Sequence, residues 1–187
     1  MRRGLINRFP VVSRRSQTGG EVYEGATGPA NDIYSKGALI AHTLRLHIGD
    51  EAFWRAVRML VYGRDDPRPG NFTPRYASTA DFIGYVNAAA GRDLGWFFDA
   101  YLYQAALPEL RQTREGDQLT LEWATGDGGP FPMPVEVEID GRRQTVEFTG
   151  NRTVVQVPAG AHVLIDPENK VLRRLDHIEE WRAARRR

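Results

Sequence analysis

The chain has 187 residues, of which 41% are hydrophobic and 26% charged, with no cysteine and a net charge of +1. Those values exclude wholesale disorder, a disulfide framework, a thiol nucleophile and the broad positive field of a dedicated nucleic-acid binder. No apolar run approaches the roughly 20 residues that span a bilayer, and the basic start, Met1 to Pro10, lacks the apolar stretch of a signal peptide.

Residues 1–30 carry Arg14, Arg15, Gly19, Gly20, Gly25, Gly28 and Pro29 with little periodicity, and read as an irregular basic lead-in. A first helix is signalled by Asn31 or Asp32 as N-cap and Gly49 as terminator, with Ile33, Gly37, Ile40 or Ala41, Leu44 and Ile48 on its apolar face. Asp50 opens a second helix through Phe53, Trp54, Val57, Leu60 and Val61, ending near Gly63. The Pro- and Gly-rich stretch from Arg64 to Arg75 is a loop. Ser78-Thr79-Ala80-Asp81 has the form of a capping box, starting a helix that stops at Gly91. A fourth helix holds Leu94, Trp96, Phe97, Phe98, Tyr101 and Leu102, an aromatic stripe whose ordinary use is core packing.

Pro108 is the expected boundary, because beyond it the period changes from helical to alternating. Strands are predicted over 119–123, 135–139, 145–148, 154–157 and 162–165, with Asp140-Gly141 as a tight hairpin turn. Such spacing suggests a small antiparallel β-sandwich over 108–176, after a helical unit over 31–107, so the class is α+β, multidomain. The remainder, 177–187, is an Arg-rich tail with a short helix from about Glu179.

Four histidines bear on metal ligation: His42, His47, His162 and His177. A helical zinc pair stands one turn apart, whereas His42 and His47, five apart, point about 140° away from each other. No His-Glu-x-x-His, no Gly-x-Ser-x-Gly elbow and no phosphate loop occurs; Gly126-Asp127-Gly128-Gly129 reads as a turn. Asn71-Phe72-Thr73 and Asn151-Arg152-Thr153 match glycosylation triplets. The chain uses arginine for nearly all of its positive charge; Lys36 and Lys170 are its only lysines. A lysine beside Tyr34 therefore hints that its ammonium has work there.

A lone tyrosine at a helix start is ordinarily a packing residue. Its neighbours give Tyr34 another reading. Arg15-Ser16 with Glu21-Val22-Tyr23, then Tyr34-x-Lys36-Gly37-Ala38, then Leu46-x-x-Gly49-x-x-x-Phe53-Trp54 follow one another in order. Ser78-Thr79-x-Asp81-Phe82, Trp96-Phe97-Phe98-Asp99, Leu107-Pro108, Phe131-Pro132-x-Pro134-Val135 and Asp166-Pro167 continue the series. From about Pro10 to Leu175 the chain resembles the aminopeptidase N family of zinc metallopeptidases (gluzincins, which include leukotriene hydrolase). The resemblance implies the C-terminal helical half of a thermolysin-like catalytic domain followed by a β-sandwich. It implies that Tyr34 is the catalytic tyrosine that stabilises the tetrahedral intermediate of peptide hydrolysis. A phenol with pKa near 10 stays protonated at neutral pH and can donate to an oxyanion. The helix N-terminus is expected to add its dipole and free N–H groups.

The family's zinc ligands and activating Glu have no counterpart here. The resemblance thus reads as the downstream part of a zinc aminopeptidase, inactive alone. Zinc and a peptide substrate belong to the full-length parent, and this chain is expected to bind no cofactor. The competing reading is a non-enzymatic protein- or peptide-binding module derived from that family. Under the first reading, Ile33, Ile40, Leu44, Ile48, Trp96, Phe97 and Phe98 are expected to leave apolar surface open to self-association.

Overall fold

A computed structural model of the chain describes residues 2–185. After a short 3-10 turn (Arg2–Gly4) come α1 (Gly19–Tyr23), α2 (Asp32–Ile48), α3 (Asp50–Tyr62), α4 (Thr79–Ala90) and α5 (Gly95–Leu102). Six strands follow: β1 (Glu109–Glu115), β2 (Gln118–Ala124), β3 (Val135–Ile139), β4 (Arg142–Val146), β5 (Arg152–Gln156) and β6 (Val163–Ile165). The last element is α6 (Asp176–Arg185). The strands form two three-stranded antiparallel sheets, ordered β1-β2-β5 and β4-β3-β6. The class is mixed helix and sheet, as the change of period at Pro108 implies.

Local chemistry accounts for most boundaries. Ser78 accepts from the Asp81 N–H while the Asp81 carboxylate takes the Ser78 N–H, so α4 starts on a complete capping box. The helix ends at Gly91, as expected. Between β3 and β4, Asp140 and Gly141 both take positive φ, 47° and 79°, which a two-residue turn of this kind demands. It fixes the register Ile139 opposite Arg142, so β4 begins three residues before the 145–148 strand expected.

The lead-in is more ordered than its composition suggests. Thr18 and Glu21 make a second capping box at α1, and Thr27 Oγ1, Gly28 N and Ala30 N bond back to Glu21 O, Glu24 O and Val22 O. Gly28 approaches so closely that a Cβ there would sit 1.9 Å from Glu21 O; only glycine closes this hook. α6 likewise begins earlier than Glu179, at Asp176, and Arg182 bonds the carbonyls of Arg2 and Arg3. The extreme arginines, 186 and 187, lie outside the described residues.

One hydrophobic core runs through helices and sheets. Leu119, Leu121 and Trp123 alternate inward on β2, as Val135 and Val137 do on β3. Phe131, in the link before β3, joins the two halves. Its ring meets Trp96 and Tyr101 of the helical half at 5.3 and 5.5 Å, and Trp123 of β2 at 5.1 Å. Tyr101 donates its hydroxyl to Leu172 O at 2.6 Å, and Trp123 donates Nε1 to Met133 O. Thr43 on α2 is buried between both bonds of a backbone pair, donating to Lys170 O and accepting from Leu172 N.

The expectation of an open apolar face is corrected at four positions: Ile40, Leu44, Phe97 and Phe98 are all buried. The lead-in covers part of that face, through Leu5, Val11 and Val12. What stays open is a groove of about 350 Å³ beside it, lined by Val12, Gly37, Leu60, Phe82 and Leu102 among others.

Candidate functional site

Tyr34 stands in the opening turn of α2 and is 62% exposed. It points to the outside because it lies 200° round the helix from Asp32 and from Lys36, both of which face inward. The hook over 19–30 delivers Tyr23, 60% exposed, to its side. Hydrogen bonding with Tyr23, then the repulsion between two phenols, raises the Tyr34 pKa above the ordinary value. The hydroxyl is therefore a proton-bearing donor at neutral pH, and the surface in front of it is open.

The start of α2 differs from expectation in two respects. Asn31 occupies the N-cap position but makes no side-chain cap bond. The N–H groups of Asp32, Ile33 and Tyr34 are also not free: they donate to Pro29 O, Ala30 O and Asn31 O at 2.9, 3.3 and 3.1 Å. The turn ahead of the helix consumes the donors that an anion would otherwise use. With those N–H groups engaged, the Tyr34 hydroxyl is the side-chain donor that the opening turn of the helix itself offers to a ligand's oxygen, aided by the remaining dipole.

Asp32 and Lys36 carry buried charge instead. The Asp32 carboxylate accepts from Ile6 N and Asn7 N, and Lys36 Nζ donates to Gln104 O and Ala105 O at 3.1 and 2.7 Å. Burial pushes the Lys36 pKa down to about 8, opposed by the charge of Asp32. Lys36 thus points away from the phenol, into the structure.

The histidines do not assemble. His42 is exposed, and the His47 ring lies 3.0 Å from an Arg92 guanidinium nitrogen, with Trp96 against its edge. Burial, followed by the charge of Arg92, lowers the His47 pKa to about 4, so the ring is neutral at pH 7 and accepts from Arg92. His47 and Arg92 line a polar cleft of about 350 Å³ with Glu136, Glu147 and Lys170; Tyr34 is not among its lining residues. Among the described residues no three His, Cys, Asp or Glu side chains converge as metal ligands do. The two glycosylation triplets are internally engaged as well, since the Asn71 amide bonds Arg68 N and Asp66 O and the Asn151 amide bonds Phe131 N and Gly129 O.

No protein-family profile and no curated protein matches the sequence. Among solved structures, the chain is similar to Legionella pneumophila aminopeptidase A, crystallised in complex with aspartic acid. The match has a TM-score of 0.56 at 20% identity and covers 85% of this chain. The two share a fold over that length. The chain corresponds to only 19% of the length of the Legionella protein.

Proposed function

We propose that this chain is the C-terminal portion of a zinc-dependent aminopeptidase of the aminopeptidase N type, with Tyr34 as its oxyanion-stabilising residue. The observation that carries the reading is the exposure of Tyr34. A packing tyrosine at the start of an amphipathic helix turns inward; this one is 62% exposed, keeps its proton and faces open surface. The fold shared with an aminopeptidase over 85% of the chain supports the same reading. Zinc and the activating carboxylate belong to the rest of the enzyme in this reading, and its substrate is a peptide with a free N-terminus. The part played by this chain is the donor: a neutral phenol that gains a stronger hydrogen bond as negative charge develops on the carbonyl oxygen. Binding energy realised mainly in the transition state raises turnover more than affinity.

The test is Tyr34→Phe in the full-length enzyme that carries this segment. The ring stays and the donor goes, a loss that costs roughly 100- to 1,000-fold in kcat with a much smaller change in KM. Steady-state kinetics on a chromogenic aminoacyl substrate, at equal zinc content, measures it. A variant that keeps most of its turnover ends the assignment.

A further inference from the structure

Asp32 and Lys36 are 1% and 0% exposed, the buried charges of α2, and stand one turn apart on a single face. Their partners come from chain that is remote in sequence. The carboxylate holds the main chain at Ile6 and Asn7, at 2.7 to 3.1 Å. The ammonium holds the carbonyls of Gln104 and Ala105, just beyond α5. The opening turn of α2 is therefore gripped from two sides on its inner face, and Tyr34 lies between the two grips on the outer face. An apolar stem such as methionine would fill the space of Lys36 without burying a charge, and buried charges as a rule cost stability against such replacements. Nothing in core packing asks for a lysine here. What the ammonium adds is direction: two charge-assisted bonds to fixed carbonyls permit one orientation of the turn, where an apolar stem permits several.

We propose that Lys36, with Asp32 as its counterpart, is a positioning residue for Tyr34: its ammonium fixes the opening turn of α2 and thereby the direction in which the phenol points. The inference rests on the reading of Tyr34 as a hydrogen-bond donor for what this placement serves. The placement itself is measurable without turnover, so its failure and the failure of the aminopeptidase reading are separate results.

The experiment uses the whole chain, with carbon-13 at Cζ of its seven tyrosines and, in a second sample, at Cε of its two lysines. Tyr34→Phe identifies the Tyr34 signal by its disappearance. In Lys36→Met the Tyr34 signal is expected to shift or broaden while those of Tyr62, Tyr76 and Tyr85, on and around α3 and α4, stay in place. A Tyr34 signal that does not move, or seven signals that move together, overturns the proposal; the second result marks Lys36 as merely structural. Should the variant not fold, titration of the unaltered chain from about pH 6 to about pH 9, where phenols remain largely protonated, decides the matter. Asp32 is the charged group facing Lys36, and the 104–105 segment presents only carbonyls to it. The Tyr34 signal is then expected to move with the midpoint of the Lys36 Cε signal. A flat Tyr34 signal through that midpoint overturns the proposal.

Discussion

Replacing Thr43 by valine tests how α2 is tied to the sheet half. The side chain is 2% exposed, and its hydroxyl donates to Lys170 O at 3.1 Å while accepting from Leu172 N at 3.0 Å. Valine has the same shape, so no cavity opens and no clash arises; only the hydroxyl is lost. One buried and one half-buried main-chain group lose their partner, together at about 2–6 kcal/mol if neither is reached by water. The extra apolar methyl returns about 0.8 kcal/mol. The net expectation is about 3 kcal/mol of destabilisation, or roughly 6–12 °C in Tm for a chain of this size. Urea unfolding followed by tryptophan emission measures it, with an unchanged m-value as the sign that compactness is kept. Thr43→Ser keeps both bonds, loses a methyl and should cost only about 1 kcal/mol. A valine variant within about 0.5 kcal/mol of the unaltered chain would refute the reasoning, because surface-like tolerance has no place at a satisfied buried hydroxyl.

Tyr34→Phe in the isolated chain should leave urea stability nearly unchanged, within about 0.5 kcal/mol, since an exposed hydroxyl is exchanged for solvent; a large loss would mark Tyr34 as a packing residue. His47 is neutral and half-buried, with a pKa lowered to about 4 from 6.5. The unfolded chain therefore binds its proton first, and the stability His47 contributes is present above pH 6.5 and lost as the pH falls toward 4. His47→Gln should flatten that part of a pH–stability profile measured by thermal unfolding. Gly28→Ala drives a Cβ into Glu21 O and should open the 19–30 hook, seen as faster limited proteolysis between α1 and α2 with the sheet half protected. Under the proposed function the purified chain should retain no stoichiometric zinc after dialysis and hydrolyse no aminoacyl substrate; one zinc per chain by elemental analysis would contradict it.

Features that depend only on neighbours in the chain are legible in the sequence. The capping box at Ser78, the stops at Gly49, Gly63 and Gly91 and the turn at Asp140-Gly141 each need a few consecutive residues, and each stands where expected. β1 is not legible. Glu109-Leu110-Arg111-Gln112-Thr113-Arg114-Glu115 has one apolar residue, because an edge strand facing solvent carries charge in place of alternation. The helical turn at 19–23 is hidden by two glycines, and its capping box at Thr18 and Glu21 is the available signal. At the site, the position of Tyr34 on a helix start is readable from Asn31, Asp32 and Gly49. The use of Asp32 is not: its short distance to the helix start suggests a cap, while its partners, Ile6 and Asn7, are set by tertiary folding. Lys36 stands out by its rarity, yet its carbonyl partners lie 68 and 69 residues downstream, beyond any local pattern.

The bonds of Thr43 span 127 and 129 residues of chain. At ordinary rates of protein synthesis, Thr43 is made roughly 6 to 26 seconds before the segment that anchors it exists. During that interval the helix bearing Tyr34 has its local turns but none of its sheet-side partners. The helix that presents the phenol is thus made well before the contacts that tie it to the sheet half.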